Sequence, residues 1–258
     1  VELVAYNVKV LSECLVDLPF EIKTSKNVSE DIRLKYRYLD LRNPKMHKIV
    51  LLRSKVLNYI RNIMVKDDFV EVETPLLTTS SPEGARDFVV PSRLYHGKFY
   101  ALPQAPQIYK QLLMVSGFNK YFQIAPCFRD EDTRSDRTLE FYQLDIETSY
   151  PEIDQLYKLG ESICLKIFKK FSDKKLLYKK FPRISYSDAM LKYGTDKPDL
   201  RNPLEIIDLT NEFMDTSFKP FRNTTVRGIK VDGLSDKTNS WYNDIVSYAE
   251  SIGMPGIG

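Results

Sequence analysis

Cysteine, histidine and tryptophan are scarce in this chain: three, two and one in 258 residues. Cys14, Cys127 and Cys164 are odd in number and far apart, with no Cys-x-x-Cys spacing. That argues against a disulfide framework or a cysteine-rich zinc site and fits a reducing compartment. His47 and His96 lack metal-ligand spacing. No apolar run approaches the roughly 20 residues of a membrane span. Val1-Glu2-Leu3 opens the chain with neither a methionine nor a signal-peptide pattern, so a cytoplasmic fragment of a longer protein is expected, with no membrane partner. There is no Gly-x-x-x-x-Gly-Lys-Ser/Thr loop, and no Gly-x-Gly-x-x-Gly follows a strand, so any nucleotide is bound by another device. No Ser-His-Asp arrangement is suggested. Nor does one charge dominate: 38 basic and 35 acidic residues leave a net +3, which neither demands nor excludes a nucleic-acid partner.

What is present is globular in character. Hydrophobic residues make up 43% and charged residues 28%, and the length can bury one large core or two smaller ones. Val4, Tyr6, Val8 and Val10 alternate within residues 1–14, which predicts a strand at period two. A strand cannot stand alone, so this one reads as the last strand of a domain whose remainder is absent. Residues 17–43 read as a charged surface connector. Asn43-Pro44 predicts a helix start, with Asn as the cap and Pro at the first helical position. Ile49, Leu52, Val56, Ile60 and Ile63 then recur at three- and four-residue steps, which predicts a buried face.

Phe69 to Thr74 predicts a strand that Pro75 terminates, and Val89 to Leu102 two short strands turning at His96-Gly97. A second helix is expected from Pro106 to Gly117, with Ile108, Leu112 and Val115 on one side. Strands follow at Tyr121–Arg129 and Phe141–Thr148, joined by a charge-dense loop, and then an amphipathic helix over 152–171. From about residue 182 the elements shorten, ending in a helix from Trp241 to Ile252. This last part reads as a separate module.

Three segments could carry chemistry, and each has a plainer reading. On a strand, Gln143, Asp145 and Glu147 share one face and Tyr142, Leu144 and Ile146 the other. That is either a half-exposed strand or the floor of a polar ligand site. The run from Arg129 to Arg137 is either a solvated hairpin tip or a set of guanidinium groups gripping phosphates. Gln107 and Lys110 are neighbours on one helix face, yet a lone helical lysine is usually a solvated charge. Pro82 to Asp87 would by default be a surface turn, with Gly84 free to take a positive φ.

Together these segments resemble the class II aminoacyl-tRNA synthetases. Asp68 to Leu77 is similar to the first motif of that class, a helix and strand ending in the obligatory proline, here Pro75, which the class uses at its dimer interface. Phe128-Arg129-Asp130-Glu131, the charged loop and Glu140-Phe141 resemble the second motif. Within the class, Arg37-Tyr38-Leu39-Asp40-Leu41-Arg42, Ser81-Pro82-Glu83-Gly84-Ala85-Arg86-Asp87, Pro103-Gln104-Ala105-Pro106-Gln107 and Phe128-Arg129-Asp130-Glu131-Asp132 are close to the aspartyl-tRNA synthetases. Tyr193 to Arg201 resembles the entry to the extra domain of their bacterial-type members.

The resemblance implies an α+β fold, a mixed and mainly antiparallel sheet backed by helices, with a small α+β insertion. It divides the chain into the last strand of an anticodon-binding barrel (1–16), a linker (17–43), a catalytic core (44–181) and an incomplete insertion domain (182–258). It further implies an ATP- and Mg²⁺-dependent homodimer that activates L-aspartate and charges tRNA(Asp), with tRNA(Asn) as a possible second acceptor. Arg129 would hold the ATP α-phosphate and the amino-acid carboxylate, with Asp130, Glu131 and Arg137 along the ATP. Glu83, on a mobile loop, would meet the α-ammonium, and Gln107 would also contact the amino acid. Lys110 would pair with the side-chain carboxylate, Asp145 would orient the cations, and Gln143 and Glu147 would support the site.

The sequence departs from the family pattern in three places. Ala105 stands where serine is common, and Thr138-Leu139 replaces a more usual Gln-Pro. The third motif, the magnesium ligands and a second aspartate-reading arginine would all follow Gly258, so no metal ligand is expected in this stretch. Two competitors share the scaffold: an asparaginyl- or lysyl-tRNA synthetase, and a non-catalytic paralogue. The Ser81–Asp87 string and the segment after Phe181 argue against the first. Joint retention of Lys110, Arg129 and Asp145 argues against the second. This polypeptide alone is expected to give no aspartate-dependent pyrophosphate exchange, and robust exchange would defeat that expectation.

Overall fold

The computed structural model describes residues 4–13, 15–81 and 83–254. Cys14, Pro82 and the two chain ends lie outside them. The chain divides into two compact units between Asp173 and Lys174. That is earlier than the 181/182 boundary expected from sequence, and it follows directly on the helix that ends at Phe171.

In the first unit, residues 4–13 are exposed and form no strand. The alternation of Val4, Tyr6, Val8 and Val10 is insufficient here because no neighbouring strand accepts their backbone hydrogen bonds. The stretch expected to be a surface connector is instead a folded strap. It contains a single 3-10 turn at Ser25–Asn27 and two short helices, α1 (Glu30–Lys35) and α2 (Arg37–Asp40). Asp40 is fully buried, and its carboxylate is neutralised by Arg37 and by Arg33 at 3.6 Å. Such a charge is tolerated in the interior only when paired. Asn43 ties the strap's two ends together, its amide donating to the Ile22 carbonyl (2.9 Å) and the Ser25 hydroxyl (3.1 Å).

Asn43 also caps helix α3 (Pro44–Lys66), its Oδ1 accepting from Lys45 N at 3.0 Å, as the sequence predicts. The predicted buried face holds only at its C-terminal end. Ile60, Ile63 and Met64 are buried, whereas Ile49 is 57% and Leu52 45% exposed. At 23 residues the helix is about 35 Å long, and only its last turns pack on the core. Strand β1 is shorter than expected, Val70–Glu71.

A hairpin follows, β2 (Val89–Pro91) against β3 (Phe99–Ala101), turning through Gly97 at φ 73°. On helix α4 (Gln107–Val115), Ile108, Leu112 and Val115 share one side as expected, and that side faces solvent, Val115 at 85% exposure. The partly buried side is instead that of Lys110, Leu113 and Met114. Strands β4 (Lys120–Phe128) and β5 (Glu140–Thr148) pair antiparallel along their whole length, and β1 joins β4 in parallel. Helix α5 (Ile153–Phe171) starts from a Glu152–Gln155 capping box. The core lies on one face of this sheet, where Phe122, Leu144 and Ile146 meet Ile60, Met64 and Ile163. That leaves the opposite face free for other work.

The second unit holds α6 (Tyr186–Tyr193), the antiparallel pair β6 (Ile206–Asp208) and β7 (Arg227–Ile229), and α7 (Asn239–Ser251). Ser185 caps α6, accepting from Asp188 N at 3.0 Å, and Gly194 ends it at φ 69°. Both units are α+β.

Met64 is fully buried in the first unit's core. Met64→Ala should cost about 2–5 kcal/mol in urea unfolding followed by far-UV circular dichroism. Val115→Ala, on the solvent side of α4, should change stability by less than about 0.5 kcal/mol.

Candidate active site

The free face of the β4–β5 pair is built by register. Tyr121 lies opposite Glu147, Gln123 opposite Asp145, Ala125 opposite Gln143 and Cys127 opposite Phe141. Residues directly opposite share a face, so these eight side chains form one floor. Its polar atoms are largely paired among themselves. Tyr121 and Thr74 both donate to Gln123 Oε1 at 2.9 Å, and the Cys127 thiol donates to Gln143 Oε1 at 3.4 Å.

Lys110 reaches this floor from α4. Its Nζ lies 2.9 Å from Asp145 Oδ1 and 3.3 Å from Glu147 Oε2, with the lysine side chain only 12% exposed. Burial alone would lower the lysine pKa, but the hydrogen bond and charge of Asp145, then Glu147, outweigh it and raise it. The ammonium has three donors and two carboxylate partners, so one N–H remains. Asp145 Oδ2 is buried without a hydrogen-bond partner. Buried polar atoms of this kind are rare in folded proteins. Gln107 opens α4 one turn before Lys110 and is partly buried.

Arg129 follows directly on the end of β4. The sequence expectation had Arg129 and Lys110 converging on Asp145, but Arg129 does not pair with that carboxylate. Its guanidinium lies over the Phe141 ring at 5.0 Å, and its buried Nε has no partner. The cause is strand geometry. Four residues separate Phe141 from Asp145, about 13 Å along β5, so the two cations sit at opposite ends of the floor. Beside Arg129 lies a cavity of about 340 Å³, lined by Glu131, Asp132, Asp136, Arg137, Thr138 and Phe141. Thr138 donates to the backbone oxygen of Glu140 at 2.6 Å. Arg137 turns back on Arg134 through paired backbone bonds.

The loop bearing Glu83 is tied down from two sides. Asp130 N donates to Arg86 O at 3.0 Å and Arg86 Nε returns a bond to Asp130 O at 3.3 Å, which hooks the loop to the Arg129 segment. On the other side Gln104, 2% exposed, accepts from Ala85 N (3.0 Å) and donates to Ala85 O (2.9 Å) and to Asp87. Gly84 adopts φ 98°, the left-handed turn its lack of a Cβ allows. Glu83 itself accepts from the Ser81 hydroxyl at 3.0 Å. Gln104, Tyr121, Gln123 and Cys127 were not singled out as functional from sequence. Only Gln104, inside Pro103-Gln104-Ala105-Pro106, stood in a motif that could have flagged it.

Cys127 lies opposite Phe141, at the Arg129 end of the floor. Burial pushes its thiol pKa up to about 11; Arg129 and Lys110 pull it down, while Asp145 and Glu83 push it up. Burial first, and then the Asp145 carboxylate, likewise raise the Tyr121 phenol well above its ordinary value. The described residues contain no group of three or more His, Cys, Asp or Glu side chains that could hold a metal ion.

The sequence profile described as tRNA synthetases class II (D, K and N) matches residues 29–245. The chain belongs to this family. Among its class II relatives, "Aspartate--tRNA(Asp/Asn) ligase" of Pelagibacter ubique (strain HTCC1062) is 54% identical, over 96% of this chain and 43% of that protein. The protein of the same name in Ehrlichia ruminantium (strain Welgevonden) is 52% identical, over 98% of this chain and 43% of that protein. The chain thus spans less than half the length of these relatives. A crystal structure of a putative aspartyl-tRNA synthetase from Leishmania major Friedlin is 30% identical with a TM-score of 0.55, over 62% of this chain and 31% of that one. Asparaginyl-tRNA synthetase from Pyrococcus horikoshii, complexed with asparaginyl-adenylate, is 28% identical with a TM-score of 0.56, over 66% of this chain and 43% of that one.

With a thiol pKa of about 11, only about a thousandth of Cys127 is thiolate at pH 8. Cys164 is exposed. Iodoacetamide at pH 8 should therefore modify Cys164 in minutes and Cys127 only after unfolding, with the sites read by peptide mass mapping. Equal rates at both cysteines would contradict the buried floor.

Proposed function

We propose that the protein carrying this chain is an aspartate–tRNA ligase. It activates L-aspartate with ATP to aspartyl-adenylate and transfers the aspartyl group to tRNA(Asp). The relatives' shared name supports tRNA(Asn) as a second acceptor. The observation that carries the reading is Lys110, fixed between Asp145 and Glu147 with one donor left over. An ammonium held this way meets the substrate's side-chain carboxylate without having to be ordered first. Asparagine offers a neutral amide there and forfeits a charge-assisted bond, at a cost of about 1.5–3 kcal/mol.

The other roles follow along the floor. Glu83 accepts the substrate α-ammonium, and Gln107 lies along the amino acid. Gln143 and Glu147 keep Asp145 and Lys110 in place. At the far end Arg129, stacked on Phe141 and with Nε unsatisfied, holds the carboxylate being activated and the α-phosphate. A guanidinium there stabilises the charge that grows as the carboxylate attacks phosphorus in line with the leaving pyrophosphate. Asp130 and Glu131 belong to the ATP-contacting run, and Arg137 lies toward the triphosphate. In the whole protein Mg²⁺ would neutralise the phosphates. We place the protein in the cytoplasm as a homodimer. The exposed apolar half of α3 (Ile49, Val50, Leu51, Leu52) and the exposed Pro75 after β1 support self-association.

Lys110→Met in the full-length protein should lower kcat/KM for aspartate in ATP–pyrophosphate exchange by roughly 10–150-fold. The KM for ATP should change by no more than about twofold. Wild-type-like aspartate activation in this variant, or wild-type activation of asparagine in preference to aspartate, would remove the assignment.

A further inference from the structure

The stretch leading into the second unit is strongly basic. Residues 166–183 hold eight of the chain's 38 basic residues and one of its 35 acidic ones. Outside that stretch acidic residues outnumber basic ones by 34 to 30, so the chain's net positive charge resides there. Lys174 and Arg183 have interactions of their own, and three others have local reasons. Lys166 meets Asp67 at 3.8 Å, and Lys169 and Lys170 lie in the last turn of α5, where the carbonyl end of a helix favours cations. The five basic residues from Lys174 to Arg183 lie on backbone that is neither helix nor strand and is exposed throughout. No acidic residue lies between Asp173 and Asp188. Among the described residues Lys175, Lys179 and Lys180 have no ion-pair partner.

Clustered like charges without counterions repel one another, so such a run destabilises the free chain unless a polyanion screens it. Tyr178 stands half-exposed between the two lysine pairs, with an aromatic face available for stacking on a base. An anionic membrane surface is the other common polyanion, but this stretch has no helix that could lay an apolar face into one.

We propose that Lys175, Lys179 and Lys180, with Tyr178 between them, form a contact for the sugar–phosphate backbone of RNA. In its choice of RNA the proposal rests on the reading that the protein charges a tRNA. The contact is electrostatic and insensitive to base sequence. Its substitution therefore weakens RNA binding and leaves amino-acid activation alone.

The test uses the full-length protein with Lys175→Gln, Lys179→Gln and Lys180→Gln combined, beside the charge-keeping triple to Arg. Filter binding of tRNA should weaken by about tenfold at low salt, and the slope of log affinity against log salt should fall by about 2 to 3. The arginine triple should keep both near wild type. Aspartate-dependent pyrophosphate exchange should stay within about twofold of wild type in both variants. Intact exchange with unchanged tRNA affinity and slope would overturn the contact. So would unchanged tRNA affinity together with lost binding to phosphatidylserine vesicles, which would assign the run to a membrane. Absence of exchange in the wild-type protein would defeat the ligase reading, and the filter-binding result would still decide the RNA contact.

Discussion

A lysine ammonium at 12% exposure, held between two carboxylates on a sheet floor, is the constraint from which the rest of the first unit follows. Bringing three ionised groups together, two of them largely buried, is costly unless each has its partner in place. Asp145 and Glu147 must therefore be two residues apart on one strand, so that both point the same way. Lys110 must come from a helix packed across that strand, with its charged side turned inward. The apolar side of α4 then has no choice but solvent, which is where Ile108, Leu112 and Val115 lie.

The two faces of the β4–β5 pair divide the labour. Phe122, Leu144 and Ile146 anchor the strands to α3 and α5, and a floor fixed from behind can hold polar groups at set distances in front. Preorganisation of this kind matters more to recognition than the number of contacts. The Glu83 loop is attached to the same frame by Gln104 on one side and by the Arg86–Asp130 bonds on the other. The segment that would meet the amino acid and the segment that would meet the nucleotide are thus mechanically joined. The unpartnered atoms, Asp145 Oδ2 and Arg129 Nε, lie at opposite ends of one floor. A ligand bridging them must be elongated and must carry charge at both ends, as an aminoacyl-adenylate does.

The strap before α3 shows the same logic away from the site. Asp40 is buried because Arg33 and Arg37 neutralise it, and Asn43 closes the strap while capping the long helix. A charge-rich stretch that reads as a surface connector becomes folded structure once its charges find each other. No periodicity announces such pairing. It depends on which turns bring the groups together.

From sequence alone, period and punctuation determined the elements: the Asn43-Pro44 start of α3, the hairpin turning at Gly97, the long β4–β5 pair and the face shared by Gln143, Asp145 and Glu147. Those features are local, set by backbone sterics and by a side-chain repeat of two or 3.6. The resemblance carried by the ordered motif strings further implied Lys110, Arg129 and Glu83 as candidate site residues. Tertiary structure alone decided which face of each element is buried. It turned the apolar stripe of α4 outward and limited the α3 core to its last turns. It left residues 4–13 unpaired, and it held Arg129 over Phe141, away from Asp145. Each of these outcomes depends on what lies across the gap from a residue, and burial and ion pairing are properties of two surfaces at once, which one segment of chain cannot specify.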